Sequence, residues 1–274
     1  MPTRLAGGIM ATRMRTEMPT ETGTIITIRT HRTNMRPTPR TDPGFEPAQL
    51  FDLLSWMSPA WPIGAFAHSG GLEWAVEMGD VHDRGSTADW IADLIEHGVL
   101  WNELVLFRHA YRATEQSDPA ALLAAAELAD AAAIGFERRL ETMAQGTAFR
   151  RIGRAILGER VFGELDPLDD ESLAYPIACG CQMANRGIPL GHALAAFGHG
   201  IAANLVSAAQ RLVPLGQTDG QRVLADLKPV LLAAAGRAAA LPDGDPFEQM
   251  GGMALAADIG CIAHETQYTR LFRT

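Results

Sequence analysis

The sequence has little that would support a disulfide framework, a membrane span or a β-sheet. It has three cysteines in 274 residues, two of them in Cys179–Gly180–Cys181. That number fits a reducing cytoplasm better than a disulfide-stapled fold. No apolar run reaches about 18 uncharged residues, so we expect no transmembrane helix. Runs of β-branched residues are rare and alanine is abundant, which favours helices over strands.

Two further features limit the kinds of partner. Neither G-x-x-x-x-G-K-[ST] nor G-x-G-x-x-G occurs, so we expect no nucleotide binding through such loops. Basic residues are in the minority, and the net charge is −9. Seven arginines against three acidic residues give residues 1–45 a charge of +4, so the remainder carries −13. An acidic body argues against nucleic acid as the main partner and tolerates a basic protein.

Residues 1–45 differ in composition from the rest of the chain. They are rich in Thr, Arg and Met and show no helical period; only residues 24–28 resemble a strand. We expect a disordered N-terminal extension, or one that results from an upstream start codon. Alternative start codons correspond to Met10, Met14, Met18 and Met35.

Most of residues 46–274 have the apolar spacing of helices. We therefore predict an all-α, single-domain bundle of about eight to ten helices over residues 46–274. In the helix at 136–157, the predicted inner stripe is Leu140, Met143, Thr147 and Ile156. The predicted helices cover residues 50–56, 72–78, 86–113, 119–133, 136–157, 173–185, 189–212, 219–241 and 247–269.

Residues 58–73 (SPAWPIGAFAHSGGLE) form the most unusual stretch of the chain. Pro59 and Pro62 restrict the backbone and prevent a helix through this point. Gly64 permits a tight turn or a close approach of the backbone. The pattern predicts a loop with a defined shape.

This loop presents Phe66, His68 and Ser69 immediately before the predicted helix at 72–78. Ser69 can cap that helix, and Glu73 falls in its first turn, where the helix dipole favours an acid. The segment A-H-S-G-G also imitates the nucleophile elbow of a serine hydrolase, with Ser69 as nucleophile and His68 beside it. An elbow requires a strand before the serine, and prolines occupy that place, so we favour a cap or a loop contact. His68 is either a structural histidine or a surface contact.

Asp258, Cys261, His264 and Glu265 lie close together on the last predicted helix. Carboxylate, thiolate and imidazole groups can bind a borderline divalent metal, which would make the chain a metal carrier. The alternative, which we favour, is a polar helix face with one buried thiol. Cys179 and Cys181 are closer together than zinc ligands usually are, and Gly198–His199–Gly200 fits close helix packing better than a ligand site.

The last residues of the sequence combine aromatic side chains with arginine. Tyr268, Arg270 and Phe272 are residue types that anchor protein interfaces. Such a tail docks either on its own core or on a partner, and we expect the partner.

Several of these segments, in this order, resemble the UreF family of urease accessory proteins. The likeness covers residues 48–274. It rests on the proline loop followed by Gly71–Leu72–Glu73, and on four later segments: FER…QG at 136–146, YP at 175–176, NLVSA leading to VPLGQTDGQ at 204–221, and HETQYTRLFRT at 264–274.

The resemblance implies an all-α cytoplasmic protein that helps to assemble the nickel centre of urease. Members bridge the scaffold UreD, also called UreH, and the nickel-carrying GTPase UreG, and the complex docks on apo-urease. They form dimers, and the resemblance implies neither catalysis nor a bound cofactor or metal.

By position, Phe66 would help to recruit the GTPase, and Arg270 would help to order the surface that scaffold and GTPase use. Some relatives have Tyr at the position of Phe66. Partner-binding residues expected by proximity are His68, Glu73, Tyr268, Leu271 and Phe272.

Overall fold

The computed structural model describes residues 45–158, 173–252 and 254–274. In this part of the chain there are eleven α-helices, one 3-10 helix at Ala65–Ala67 and no β-strand, so the prediction of an all-α fold is confirmed. The expected extension at 1–45 and the strand-like residues 24–28 lie outside the described residues, apart from Phe45. The helices are α1 Pro47–Trp56, α2 Leu72–Glu77, α3 Arg84–Glu96, α4 Val99–Glu115, α5 Pro119–Ala131, α6 Phe136–Leu157, α7 Tyr175–Asn185, α8 Leu190–Leu212, α9 Gln217–Ala239, α10 Pro246–Gln249 and α11 Leu255–His264.

The core lies around α4, which packs against α3, α5, α7, α8 and α9. Phe107 on α4 and Phe197 on α8 are fully buried, and their ring centroids are 5.0 Å apart. Tyr175 at the start of α7 connects this pair to Phe149 on α6 through two further ring contacts. The abundant alanines keep the helix surfaces shallow, so the few aromatic rings fill the space between them.

Two predicted helices are each divided in two, which accounts for the eleven helices. The segment 86–113 is interrupted at His97 and Gly98, between α3 and α4. It also begins earlier than Ser86, because Asp83 caps α3 and accepts a hydrogen bond from the Ser86 amide at 2.8 Å. The sequence Asp118–Pro119 predicts an N-cap followed by proline at the first helical position, and α5 begins in this way.

The prediction of one continuous helix over residues 247–269 is wrong. Residues 250–252 and 254, between α10 and α11, are not helical, and Gly251 is bonded to α4. The Gly251 amide donates to the Asn102 side chain at 3.0 Å, and the Trp101 indole donates to the Gln249 carbonyl at 3.3 Å. Contacts from another helix therefore replace the intrahelical hydrogen bonds here. Residues 265–274 are not helical and continue as a tail.

Helix α6 has the predicted bounds but not the predicted inner stripe. Met143 is buried, whereas Leu140 and Ile156 are 49% and 63% exposed. The inward face of the helix instead carries polar side chains, among them Glu137, Glu141 and Gln145. None of the described helices is both long and apolar enough to cross a membrane.

Candidate protein-interaction site

The loop at 58–71 and the tail at 265–274 lie side by side, and Arg211 in the last turn of α8 joins them. Its guanidinium carbon is 3.7 Å from the centre of the Phe66 ring and 4.3 Å from that of the Phe272 ring. Its Nη1 also donates to the Phe66 carbonyl at 2.8 Å. A guanidinium that contacts two aromatic rings is attracted to both. The loop and the tail therefore form one continuous surface, which we call the loop–tail surface.

The last residue of the tail is bound in the loop. The main-chain oxygen of Thr274 accepts hydrogen bonds from the Ser69 amide at 2.8 Å and from the Ser69 hydroxyl at 2.6 Å. The Thr274 hydroxyl is 3.0 Å from His68 Nδ1 and donates to Glu141 at 3.0 Å. Burial lowers the pKa of His68, so the neutral ring with its proton on Nδ1 is the form that donates to this hydroxyl. Ser69 and His68 thus bind the tail.

Glu73 on α2 holds the tail through its backbone. Its carboxylate accepts hydrogen bonds from the amides of Leu271 at 2.6 Å and Phe272 at 2.9 Å. Gly71 precedes α2 with φ +81°, and a Cβ there would lie 2.8 Å from the sulfur of Cys261. Glycine at this position therefore lets α2 approach α11, which brings Glu73 within reach of the tail.

His264 at the end of α11 connects this clamp to α6. The ring is fully buried, with Nδ1 2.7 Å from Glu137 and Nε2 3.2 Å from Glu73. A ring with a proton on both nitrogens donates to both carboxylates. Arg270 in the tail makes a 2.5 Å ion pair with the other oxygen of Glu137. Two carboxylates, an imidazole and a guanidinium form this cluster, which we call the tail clamp: Glu73, Glu137, His264 and Arg270.

A second buried ionic cluster lies beneath Thr274. Arg138 on α6 pairs with Glu141 at 2.6 Å and with Glu103 on α4. Burial opposes ionisation of Glu141, but the charge of Arg138 and the hydrogen bonds from Arg138 and Thr274 outweigh it and lower its pKa. Burial raises the pKa of Glu103, whose only hydrogen bond from a described residue comes from Arg138. Through Glu141, this cluster binds the last residue of the tail.

The tail docks on its own fold, contrary to the expectation that it would need a partner. Phe272 is 5% exposed and packs in an apolar cluster with Leu72, Ala209 and Val213. Tyr268 and Leu271 point away from the fold and are 103% and 65% exposed. Exposed and buried residues alternate along 271–274, so Phe272 and Thr274 face the fold while Leu271 and Arg273 face outward.

The predicted site residues fall into two groups. Phe66, Tyr268 and Leu271 are exposed, with Phe66 at 67%, and the Arg270 side chain is 39% exposed. His68, Glu73 and Phe272 are buried. The exposed group can contact another protein directly, whereas the buried group can act only by holding the loop and the tail.

In the described residues, Ser69 and His68 do not have the arrangement that a serine hydrolase requires. Ser69 is fully buried, follows a 3-10 helix, and gives its hydroxyl proton to Thr274. The Nδ1 of His68 faces the Thr274 hydroxyl, so the pair is not arranged as nucleophile and base.

The residues of the metal-carrier alternative point in different directions. Glu265 accepts hydrogen bonds from the amides of Phe136 at 2.6 Å and Glu137 at 3.3 Å, where it caps α6. His264 belongs to the tail clamp, and burial raises the pKa of the Cys261 thiol to about 12. Asp258 makes no ion pair with a described residue. Within the described ranges, no group of three or more His, Cys, Asp or Glu side chains could hold a metal ion.

The other candidate ligands are also explained by packing or exposure. Cys179 and Cys181 are fully buried, and burial raises the pKa of both thiols. His199 lies on the outside of α8, while a Cβ at Gly198 would lie 2.6 Å from the Leu231 side chain. The interpretation of close helix packing at Gly198 agrees with this distance.

Sequence reasoning missed Arg211, Glu137 and Glu141. Arg211 ends a long apolar helix, where an arginine is expected to cap the last carbonyls. Glu137 and Glu141 are four residues apart on one face of α6. From the sequence alone, that spacing is equally compatible with a solvent-exposed face and with a buried one. The acidic face of α6 and the arginine-containing tail have opposite charges, which is compatible with a contact between them. The sequence does not show that the two segments are close in space.

Comparison with known proteins identifies the chain's relatives. A family model described as UreF matches residues 81–228. Urease accessory protein UreF of Rhodopseudomonas palustris strain TIE-1 is 47% identical over 232 residues, which is 85% of this chain and 95% of that protein. The protein of the same name from strain BisB5 is 48% identical, covering 83% of this chain and 92% of the relative. The one from Bradyrhizobium diazoefficiens is 42% identical, covering 84% and 93%.

Proposed function

The chain belongs to the UreF family of urease accessory proteins, and from this premise we propose that it bridges two partners during urease maturation. The partners are the scaffold UreD/UreH and the nickel-carrying GTPase UreG. The bridge assembles the nickel centre of apo-urease in the cytoplasm. In this proposal the chain has no catalytic role and carries neither a cofactor nor a metal of its own.

The loop–tail surface is the observation that carries the proposal. Phe66 and Leu271 are large apolar side chains held in exposed positions, and Tyr268, three residues before Leu271, is exposed as well. Exposed aromatic and apolar side chains on an ordered backbone bind a partner with little further loss of conformational entropy. Arg211 holds the loop to the tail, so one protein surface can engage both partners at once.

His68, Glu73 and Phe272 support this surface from below. Glu73 and His68 fix the backbone and the end of the tail, and Phe272 anchors it in the apolar cluster. Arg270 links the tail to Glu137 while part of its guanidinium remains accessible. In the proposal these buried residues position Phe66, Tyr268 and Leu271 for the partner.

We also propose that the chain forms a homodimer through α11. Leu255, Ile259 and Ile262 follow each other at helical spacing and are 57%, 56% and 52% exposed. Such a stripe on a helix is typical of a protein interface. Light scattering of the parent and of Ile259→Asp tests the dimer: the variant should be monomeric, and an unchanged mass would exclude this face.

Pull-downs with the scaffold and the GTPase, each tested separately, are the experiment for the bridging role. Phe66→Ala should reduce GTPase recruitment and leave scaffold binding intact. Arg270→Ala, and Arg270→Lys to a lesser degree, should weaken both, because lysine keeps the charge and lacks the planar fork. Truncated interface anchors typically cost about 2 kcal/mol, roughly thirtyfold in affinity.

Matched controls lie elsewhere on the molecule. Phe247 on α10 is 71% exposed, similar to Phe66, so Phe247→Ala tests the general effect of removing an exposed ring. Arg186 pairs with Asp52 and is 45% exposed, so Arg186→Ala matches Arg270→Ala. If the variants at 66 and 270 bind like these controls while all five variants melt like the parent, the proposed surface is wrong.

A further inference from the structure

Helix α1 uses its polar side chains within the chain. Gln49 donates to two carbonyls just after α7, at 2.8 and 3.1 Å, and Asp52 forms an ion pair with Arg186. The Ser55 hydroxyl donates to the carbonyl of Phe51 at 2.8 Å. The helix therefore has few polar side-chain groups left for water.

The outward side of α1 is apolar instead. Leu53 and Trp56 are buried and hold the helix against the fold. The other large apolar side chains, which we call the outer face of α1, are exposed: Leu50 at 43%, Phe51 at 72% and Leu54 at 65%. A helix on a protein surface normally turns its polar side to water, and clustered exposed apolar side chains mark a site of interaction.

The chain that follows this face carries no charge. Residues 53–72 contain no Asp, Glu, Lys or Arg, although 20% of the whole sequence is charged. Exposed residues of this stretch include Pro59, Pro62 and Phe66. Protein interfaces are depleted of charged residues at their centre. The outer face of α1 and Phe66 are therefore connected by a stretch with the composition of an interface.

Residues 45–66 lie along α8, in the same direction as that helix. Phe45 stacks on His192 near the start of α8, with ring centroids 4.8 Å apart, and Phe66 contacts Arg211 in its last turn. These two points are 19 residues apart on α8, which is about 28 Å at 1.5 Å per residue. The tail packs at the Arg211 end, where Phe272 contacts this arginine. The outer face of α1 thus extends the loop–tail surface in the direction away from the tail.

The loop–tail surface alone is too small for two partners. A stable interface takes about 800 Å² and about 20–30 residues from each protein. The loop and the tail together have 24 residues, of which five are buried: His68, Ser69, Gly71, Phe272 and Thr274. A chain that binds two proteins here must offer further area, and the outer face of α1 adjoins the loop.

We propose that the outer face of α1 and the loop as far as Phe66 form one footprint for a single partner, a folded protein that presents an apolar, uncharged face about 28 Å long. This inference rests on the proposed function, in which the partner that contacts Phe66 is the GTPase. The GTPase then covers α1 and Phe66, and the scaffold binds on the side of the tail.

Affinities of the double variant Phe51→Gln/Leu54→Gln for the two partners, measured separately, test the footprint. Glutamine suits a helix nearly as well as leucine, so the melting temperature should stay that of the parent. Binding of the GTPase should weaken roughly thirtyfold, as for truncated interface anchors, while scaffold binding should not change. Loss of scaffold binding instead would overturn the assignment.

The control is Leu123→Gln/Leu232→Gln, which replaces two exposed leucines on α5 and α9 and should bind both partners like the parent. Light scattering of the α1 variant should give the mass of the parent. A dimeric parent and a monomeric α1 variant would show that this face joins two copies of the chain, contrary to the proposal. Arg186→Ala should keep α1 in place, because Gln49 and the buried Trp56 still hold it.

A photoreactive benzoylphenylalanine in place of Phe51 locates the contact directly. Irradiation with the purified GTPase should give a one-to-one covalent adduct, whereas the same residue in place of Leu232, exposed on α9, should give none. An adduct with the scaffold at position 51, or equal adducts at both positions, would contradict the footprint.

Phe66→Ala distinguishes failure of this inference from failure of the bridging role. If Phe66→Ala weakens GTPase binding and Phe51→Gln/Leu54→Gln binds like the parent, the assignment of α1 is wrong and the bridging role stands. A parent chain that binds no GTPase would overturn the bridging role, and the footprint with it.

Discussion

Arg211 is the single residue on which the loop–tail surface most depends. It contacts the Phe66 and Phe272 rings and the Phe66 carbonyl at once. Lysine at this position would keep the charge and lose the planar group that can lie against two rings. The residue therefore acts through its shape more than through its charge.

Arg211→Ala should loosen the tail without unfolding the helices. Loss of its ring contacts should cost about 1 kcal/mol or more, which is roughly fivefold faster hydrogen exchange at the amides of Leu271, Phe272 and Arg273. Arg222→Ala, which removes an exposed arginine paired with Asp219, is the control. Unchanged exchange at these three amides in Arg211→Ala would show that the tail does not need the arginine.

Cys261 illustrates a residue whose chemistry is set by its surroundings. Burial raises the pKa of its thiol to about 12, so the thiol is protonated at neutral pH and is a poor nucleophile and metal ligand. Iodoacetamide at pH 8 should leave Cys261 unmodified in the folded chain and label it after denaturation.

Cys261→Ala should leave urease activation largely intact and cost about 1 kcal/mol of stability through lost packing. Urease activity in cells and a melting curve measure the two effects. Loss of activation with unchanged stability and partner binding would show that the thiol is a ligand.

At the level of elements, helix positions could be predicted more reliably than the faces they bury. The bounds of α6 and the cap of α5 followed from periodicity and from Asp118–Pro119. The inward face of α6 could not be predicted, because Glu137 and Glu141 bind partners that lie more than 120 residues away in the chain. The docking of the tail was missed for the same reason.

The tail makes several buried polar contacts with the rest of the fold, so its removal should destabilise the protein. Truncation after Gln267 exposes the pocket of Phe272 and leaves Glu73, Glu137 and Glu141 without their tail partners. Orphaned buried groups cost about 1–3 kcal/mol each, so we expect a fall in melting temperature together with the loss of scaffold binding.

The double variant Tyr268→Ala/Leu271→Ala is the control for the truncation, because both side chains are exposed. It should melt like the parent and still bind partners more weakly. A truncated chain with the melting temperature of the parent would mean that the tail does not dock on its own fold.

At the level of the whole molecule, the acidic charge is divided between the surface and the interior. The residues beyond 45 carry −13, yet four of the carboxyl groups are buried with Arg138, Arg270 and His264 between them. The buried groups fix the tail, whereas the exposed ones leave an acidic surface that suits a basic partner.

Deletion of residues 1–44 should leave the melting temperature and urease activation nearly unchanged. The remaining chain begins at its own helix cap, where Glu46 and Gln49 bond reciprocally ahead of α1 and Pro47 occupies the first turn. A fall of several degrees in melting temperature would show that the extension contributes to the fold.

The central claim is that loop and tail form one recognition surface through Arg211, and a double-mutant cycle tests it most directly. Phe66→Leu and Phe272→Leu each remove one ring from Arg211 and keep an apolar side chain. The measured quantity is the free energy of binding to the scaffold together with the GTPase. Because both rings share one partner, the two changes should be coupled by more than about 0.5 kcal/mol, as contacting residues are. Effects that add within that limit, or single variants that bind like the parent, would contradict the account.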